Sequence, residues 1–198
     1  MTCFQLKLNQ NTKNYLYSLR PYVLFCSVIF VLSVFLGYSA ACNYSQEIQK
    51  VLREIKEMWA SFQGVTSLKL FIFIAFNNIS KIALVVFLGI IFGIFPILFL
   101  FVNGMVVGIF AYTVAETVSW QMFLVGILPH GVVEIPVLIL GAASGVKLGG
   151  VVFNKIFRKR GNLREEFSLA LEFFLRILLP LLILAAVIEA FVTANLVR

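Results

Sequence analysis

The chain has 198 residues, of which 61% are hydrophobic and only 13% are charged, and its mean hydropathy is +1.00. Soluble domains are about half apolar and a quarter charged, so this composition excludes a sizeable soluble core. It predicts one membrane domain (1–198) made of helical spans of about 20 residues each. The net charge of +7 comes mainly from connecting segments and therefore indicates membrane orientation and lipid headgroups, not a nucleic-acid partner.

The N-terminal part (1–43) contains the first predicted span, from about Pro21 to Ala41. The next segment (44–69) changes character, because its apolar residues recur at i, i+3, i+4 and i+7 with charged residues between them. This pattern predicts an external amphipathic helix, which either lies on the membrane surface or packs on a neighbour.

The remaining part (70–198) is predicted to form a core of four spans. Asn77 to Lys81 interrupts its long apolar tract and Phe95-Pro96 divides it, so we predict spans at 79–95 and 97–115, joined by a tight hairpin. A fourth apolar run (122–148) contains two prolines and predicts a helix broken at Pro129–Pro136, either kinked or re-entrant. The fifth span is predicted at 173–196. The expected fold is an all-α, polytopic bundle of about five transmembrane helices.

Basic residues predict the orientation of these spans. They cluster before the first span and again in residues 150–168, and cytoplasmic connections carry an excess of lysine and arginine. We therefore expect the N-terminus and residues 150–168 in the cytoplasm, and residues 43–68 and the C-terminus outside. An odd number of spans agrees with both assignments.

Ionisable residues at membrane depth are the main candidate functional groups, because they are costly there and face protein or water. His130 and Glu134 are four residues apart and share a helical face, and the predicted topology places Lys81 and Glu189 at a similar depth. We predict that these four residues form a buried polar cluster, hereafter the predicted cluster. It is either a structural polar contact that fixes helix register, or a proton relay or ion site.

Enzymatic and metal chemistry have little support in the sequence. One histidine with scattered serines does not make a catalytic triad, and one histidine with one or two glutamates gives too few ligands for a metal site. The three cysteines (Cys3, Cys26 and Cys42) show no ligand spacing. We expect no catalytic residues, no metal and no cofactor.

Glycines recur at four-residue intervals in three spans. The pairs are Gly89 with Gly93, Gly104 with Gly108, and Gly141 with Gly145 and Gly149. Such rows form flat grooves that let helix backbones approach closely, so they predict tight packing, within one chain or between chains.

The chain resembles the stage II sporulation protein M family over about residues 70–197. The strongest portion runs from Leu128 to Pro136, and the matching motif residues are Asn103, Gly104, Gly108, Pro129, His130, Gly131, Glu134, Gly141, Gly145, Gly149 and Thr193. The resemblance implies an all-helical membrane protein of about five spans. In spore-forming bacteria the founding member is a non-enzymatic scaffold in an engulfment complex with peptidoglycan-degrading partners.

The sequence and the resemblance favour two hypotheses for the function, which belong to different classes. The first is a non-enzymatic membrane protein that assembles or anchors membrane or extracytoplasmic proteins as a homo-oligomer in the bilayer. The second is a channel or transporter for ions or small solutes that uses the predicted cluster as a polar path. The few polar residues and the absence of a repeat among the spans favour the scaffold.

Overall fold

The computed structural model describes residues 10–44, 66–117 and 120–193, and their side chains except those of 116–130, 192 and 193. The helices are α1 (Gln10–Asn43), α2 (Ser67–Phe87), α3 (Ile94–Thr117), α4 (Trp120–Phe157), α5 (Leu163–Phe173) and α6 (Leu179–Ile188). A 3-10 turn (Leu88–Ile90) follows α2, and π-helical segments (Phe174–Leu178 and Glu189–Thr193) follow α5 and α6. Within the described ranges, five helical stretches are long and apolar enough to span a membrane, which confirms the all-α polytopic fold. The predicted amphipathic helix (44–69) lies almost entirely outside the described residues.

The first helix begins earlier than its apolar run. α1 starts at Gln10 and passes through Pro21 without interruption, so the helix extends eleven residues before the predicted start of the span. At about 1.5 Å per residue its 34 residues extend about 51 Å, against a hydrocarbon core of about 30 Å. The polar residues 10–20 therefore form a helical extension beyond the apolar span.

The second helix also corrects the sequence prediction. Asn77 to Lys81 lies inside α2 and does not interrupt it, and the candidate span runs from Ser67 to Ile90. The two asparagine side chains are accommodated locally, since Asn77 Nδ2 donates to Asn78 Oδ1 at 3.4 Å and Asn78 is almost fully buried. A polar side chain lowers local hydropathy but leaves the backbone hydrogen bonds of a helix intact, so it need not end the helix.

The hairpin between α2 and α3 is tight, but it lies before the predicted division at Phe95-Pro96. Phe92 (φ 52°) and Gly93 (φ 73°) adopt left-handed backbone conformations, a geometry that usually ends a helix. Gly93 N donates to Gly89 O at 2.8 Å and so satisfies a carbonyl of the preceding turn. Pro96 lies in the first turn of α3, where a missing N–H removes no helical hydrogen bond.

The fourth helix is continuous, so the re-entrant form of the predicted break at Pro129–Pro136 was wrong, whereas a kink there stays a prediction. α4 runs as α-helix from Trp120 to Phe157 through both prolines. Each proline removes one backbone hydrogen bond, which bends or weakens a helix, but the surrounding turns retain theirs. The helix also continues beyond the predicted end of the span at residue 148.

The fifth span begins ten residues before the predicted position of 173. α5 starts at Leu163 after a short connection in which Lys159 and Gly161 have positive φ angles (53° and 103°). The side chain of Asn162 caps α5 by accepting a hydrogen bond from Glu165 N at 3.3 Å. Most of the predicted basic loop (150–168) is therefore helical, and only residues 158–162 connect α4 to α5.

The central helix of the bundle is α4. Half of the residues in its most apolar stretch are buried, whereas a third or fewer are buried in each of the other four spans described. Its fully buried positions include Val137, Ala142, Ala143, Ser144 and Leu148. The first three belong to one apolar core shared with α1, α2, α3 and α5. The small side chains among them let the neighbouring backbones come close.

The predicted glycine rows face neighbouring helices of the same chain. Gly89, in the 3-10 turn after α2, lies against the backbone of Gly145, and Gly149 lies against the hairpin at Gly93. On the other side, a Cβ atom at Gly104 would lie 2.9 Å from the carbonyl oxygen of Phe30, and Gly108 lies against the backbone at Val34. The α1–α3 contact, the most extensive helix pair in the molecule, therefore depends on positions without side chains.

Candidate functional site

Two members of the predicted cluster lie near each other. Lys81 on α2 is exposed and Glu189, at the start of the second π segment, is half-buried, and the Lys81 charge acts on the Glu189 carboxyl. The helices meet here through a small apolar core of Ile74, Ala75, Ala186 and Ala190. The rings of Phe71 and Phe191 lie beside this core, tilted by 43° with their centroids 6.4 Å apart.

The other two members lie on α4. Glu134 is half-buried and interacts with a neighbouring group. The backbone of His130 is one helical turn earlier, but its side chain lies outside the described part of the structure. The grouping of all four residues therefore stays a prediction.

A second polar site, which the sequence reasoning missed, lies at the end of the bundle that carries the N-terminus of α1. Lys147 Nζ lies 2.8 Å from Glu166 Oε1, and both side chains are nearly buried, at 13% and 12% exposure. The same ammonium lies 4.2 Å from the centroid of the Tyr15 ring, and the Tyr15 hydroxyl shares a hydrogen bond of 2.9 Å with Ser144 Oγ. We call these four residues the Lys147 network.

The charge of Glu166 is offset by proximity to the lysine. Among the described residues, no group donates to Glu166 Oε1 with good hydrogen-bond angles, although the ammonium of Lys147 is only 2.8 Å away. A buried carboxylate without its counter-charge is strongly unfavourable, so this pair stabilises the junction of α4 and α5 only while both partners are present.

Glu172 extends the polar contacts along α5. Its Oε1 accepts a hydrogen bond from Thr12 Oγ1 at 3.1 Å and lies 3.1 Å from Arg176 Nε. The rings of Tyr15 and Phe173 lie beside this contact, with centroids 5.4 Å apart. These interactions hold the polar extension of α1 against α5.

An open cleft of about 690 Å³ lies between these elements, and we call it the polar cleft. α1 contributes Asn11, Asn14, Tyr15 and Ser18, and α4 contributes Lys147. The wall on the α5 side is formed by Asn162, Arg164, Glu165, Ser168, Leu169 and Glu172. Most of these side chains carry hydrogen-bonding groups, so the cleft suits a polar ligand.

One signal in the sequence could have indicated this site. Lys147 lies at the end of the apolar run 122–148, and a lysine in such a run requires a partner. The identity of that partner was not readable, because Tyr15 and Ser144 are 129 residues apart and Thr12 and Glu172 are 160 apart. No local pattern connects positions so distant in the chain.

The family-motif residues divide between packing positions and polar positions. Gly104 and Gly108 pack on α1, while Gly141, Gly145 and Gly149 pack on α2 and its hairpin. Asn103 Nδ2 donates to the carbonyl of Phe99 within α3, at 2.7 Å. Gly131 is buried in α4, one turn before the half-buried Glu134. Within the described part of the chain, no three His, Cys, Asp or Glu side chains lie close enough to hold a metal ion.

Comparison with known proteins gives a family and one similar sequence. The family model for stage II sporulation protein M matches residues 24–194. An uncharacterized protein of Methanocaldococcus jannaschii is 30% identical over 187 residues, which cover 89% of this chain and 78% of that protein. No solved structure shows significant similarity to the chain.

Proposed function

This chain belongs to the stage II sporulation protein M family, and we propose that it is a non-enzymatic scaffold that assembles or anchors other proteins in the membrane. Its partners would be membrane or extracytoplasmic proteins, and it would act as a homo-oligomer. Residues 44–69, with their amphipathic pattern, are the segment best suited to contact such partners on the outer side.

The observation that carries this proposal is the close packing around α4. Gly145 lies between the backbone of α2 and the proline ring in the first turn of α3, since a Cβ atom there would be 2.5 Å from Val85 O and 2.6 Å from Pro96 Cγ. Gly89 packs on the backbone of Gly145 itself, and Gly149 packs on the backbone of the hairpin at Gly93. A bundle packed backbone to backbone through its centre is a rigid platform and leaves little room for a water-filled route there.

The charged residues support the same function. Lys147 and Glu166 neutralise each other at one end of the bundle, and Glu172 is held by Thr12 and Arg176. Side chains engaged in this way fix helix positions, and among the described residues no ion pair links them to Lys81 or Glu189.

The predicted topology belongs to this proposal as well. The contacts of Thr12 with Glu172 and of Lys147 with Glu166 bring the start of α1 and the connection 158–162 to the same end of the bundle. The basic residues there favour the cytoplasmic side. Reporter fusions after Arg160 and at Arg198 test this, with opposite sides expected.

The scaffold is tested by isolating the tagged chain from native membranes in mild detergent and measuring the mass of its complexes. We expect defined complexes that contain other membrane or extracytoplasmic proteins, together with no ion flux from the purified chain in liposomes. Replacement of residues 44–69 by a polar linker of equal length should release the partners while the five spans still fold.

Transport is the outcome that would overturn this proposal. A chain that migrates without partners, conducts protons or cations in liposomes, and loses this flux in His130→Ala while its melting temperature is unchanged would be a channel or transporter.

A further inference from the structure

We propose that the polar cleft binds the phosphate of an anionic lipid headgroup. The cleft volume of about 690 Å³ lies within the usual range for small-ligand sites, about 300–1,000 Å³. It is open at one side, so a headgroup can enter while its acyl chains stay in the bilayer. This inference goes beyond the scaffold role and does not depend on it.

The lining of the cleft carries two cations, Lys147 and Arg164, and two carboxylates, Glu165 and Glu172, and one of the two cations is available to an anion. Its carboxylates already have partners: Glu165 accepts from Asn162 Nδ2 at 3.1 Å, and Glu172 is held by Thr12 and Arg176. Lys147 is paired with Glu166 directly behind the cleft. Among the described residues Arg164 has no ion-pair partner, so it is the lining cation available to a ligand. A guanidinium suits phosphate because it can donate two parallel hydrogen bonds.

The surroundings of the cleft are also positive. Lys155, Arg158, Lys159 and Arg160 are exposed at the same end of the bundle, within a few residues of the cleft wall. Clustered basic groups at a membrane surface attract anionic lipids. They raise the local concentration of anionic headgroups, and Arg164 gives the bound phosphate a defined position.

The depth of the cleft identifies a lipid as the source of the phosphate. On α1 the cleft ends at Ser18, just before the apolar run that begins at Pro21. On the opposite wall it ends at Glu172, just before the apolar residues that begin at Phe173. Both walls therefore meet the hydrocarbon boundary at the cleft, which is the level of lipid phosphates. Neutral amides such as Asn14 and Asn162 can bind the remaining headgroup oxygens.

The test is native mass spectrometry of the purified chain with phosphatidylglycerol, and with diacylglycerol as the lipid without a phosphate. We expect retained phosphatidylglycerol, little diacylglycerol, and a loss of about tenfold in apparent affinity in Arg164→Gln, since charge-assisted hydrogen bonds are strong. Arg160→Gln is the matched control, because it removes the same charge from the same exposed segment outside the cleft lining. Arg160 contributes only to the general attraction of anionic headgroups, so this variant should lower the affinity clearly less than Arg164→Gln does.

Two further measurements test whether the cleft itself holds the lipid and whether the phosphate comes from a lipid. Asn14→Leu fills the cleft without changing its charge and should also lower binding, with an unchanged melting temperature showing that the fold survives. Equal effects of Arg164→Gln and Arg160→Gln, or equal retention of both lipids, would overturn the site. Displacement of phosphatidylglycerol by millimolar inorganic phosphate would overturn the lipid assignment in favour of a free phosphate ligand.

Discussion

The Lys147–Glu166 pair and the Lys81–Glu189 pair each place opposite charges in an apolar bundle, but they are built differently. Lys147 and Glu166 lie 2.8 Å apart with little exposure, and the lysine is also held over the Tyr15 ring. Lys81 is exposed and acts on Glu189 without a short ion pair among the described residues. The first arrangement requires both partners for stability, whereas the second leaves its lysine able to reorient.

The largest expected effect is that of breaking the buried pair. Lys147→Met leaves Glu166 buried without a counter-charge and should destabilise the protein by about 3 kcal/mol or more. Thermal and denaturant unfolding in detergent measure this. The double variant Lys147→Met with Glu166→Met should recover much of the loss, since two apolar side chains need no counter-charge. Lys155→Met, at an exposed position on the same helix, is the control and should change stability by about 0.5 kcal/mol or less.

The second largest loss of stability is expected at the glycine contact between α4 and α2. Gly145→Ala adds a Cβ atom 2.5 Å from Val85 O, so α2 or α4 must shift, at a cost of about 1–3 kcal/mol. Gly150→Ala adds the same methyl group to the same helix, where the nearest heavy atom is 3.9 Å away. It should be neutral or slightly stabilising, because alanine favours helix more than glycine. Equal melting temperatures of the two variants would contradict the close contact at Gly145.

A smaller loss of stability should follow removal of one hydroxyl from the Lys147 network. Tyr15→Phe keeps the ring beneath Lys147 and against Phe173 but loses the hydrogen bond to Ser144, which should cost about 1 kcal/mol. The control is Tyr17→Phe, which removes a hydroxyl from an exposed ring two residues later in α1. If both variants melt alike, the Tyr15–Ser144 hydrogen bond contributes nothing measurable.

The smallest effect is expected at the exposed lysine. Lys81→Gln should change the free energy of unfolding by less than about 1 kcal/mol, because exposed charges that lack a short partner contribute little. A double-mutant cycle with Glu189→Gln measures the coupling directly. The value should be clearly below that of the Lys147–Glu166 cycle, and a coupling as large as that one would remove the difference between the two regions.

The sequence predicted the number of spans and the fold class, because long apolar runs such as those around Val28 and Leu182 have no alternative to membrane helices. It failed at helix boundaries, where local hydropathy and prolines were given too much weight. Asn78 and Pro136 lie inside continuous helices, since a helix in a bundle tolerates one polar side chain or one missing hydrogen bond. Residues 10–20 and 163–172 lie outside the predicted spans because they are polar, yet they are helical and build the polar cleft.

The candidate sites show a similar division. Counting helical turns in a topology of alternating spans predicts Lys81 and Glu189 at a similar depth; in the structure the Lys81 charge acts on the Glu189 carboxyl, and the four-residue cluster stays a prediction. The Lys147 network could not be derived in this way, because it depends on how far α1 extends past its apolar run and on the direction in which α5 leaves the connection 158–162. Both are properties of packing between segments that are distant in the chain.

The turn at Ile91–Gly93 has a consequence for the biogenesis of the protein. The 3-10 turn and these three residues leave no hydrophilic stretch between α2 and α3, so we expect both helices to enter the bilayer together as one helical hairpin. The apex of that hairpin contacts Gly149, which is synthesised later. The hairpin can therefore form before the contact that fixes its apex against the central helix.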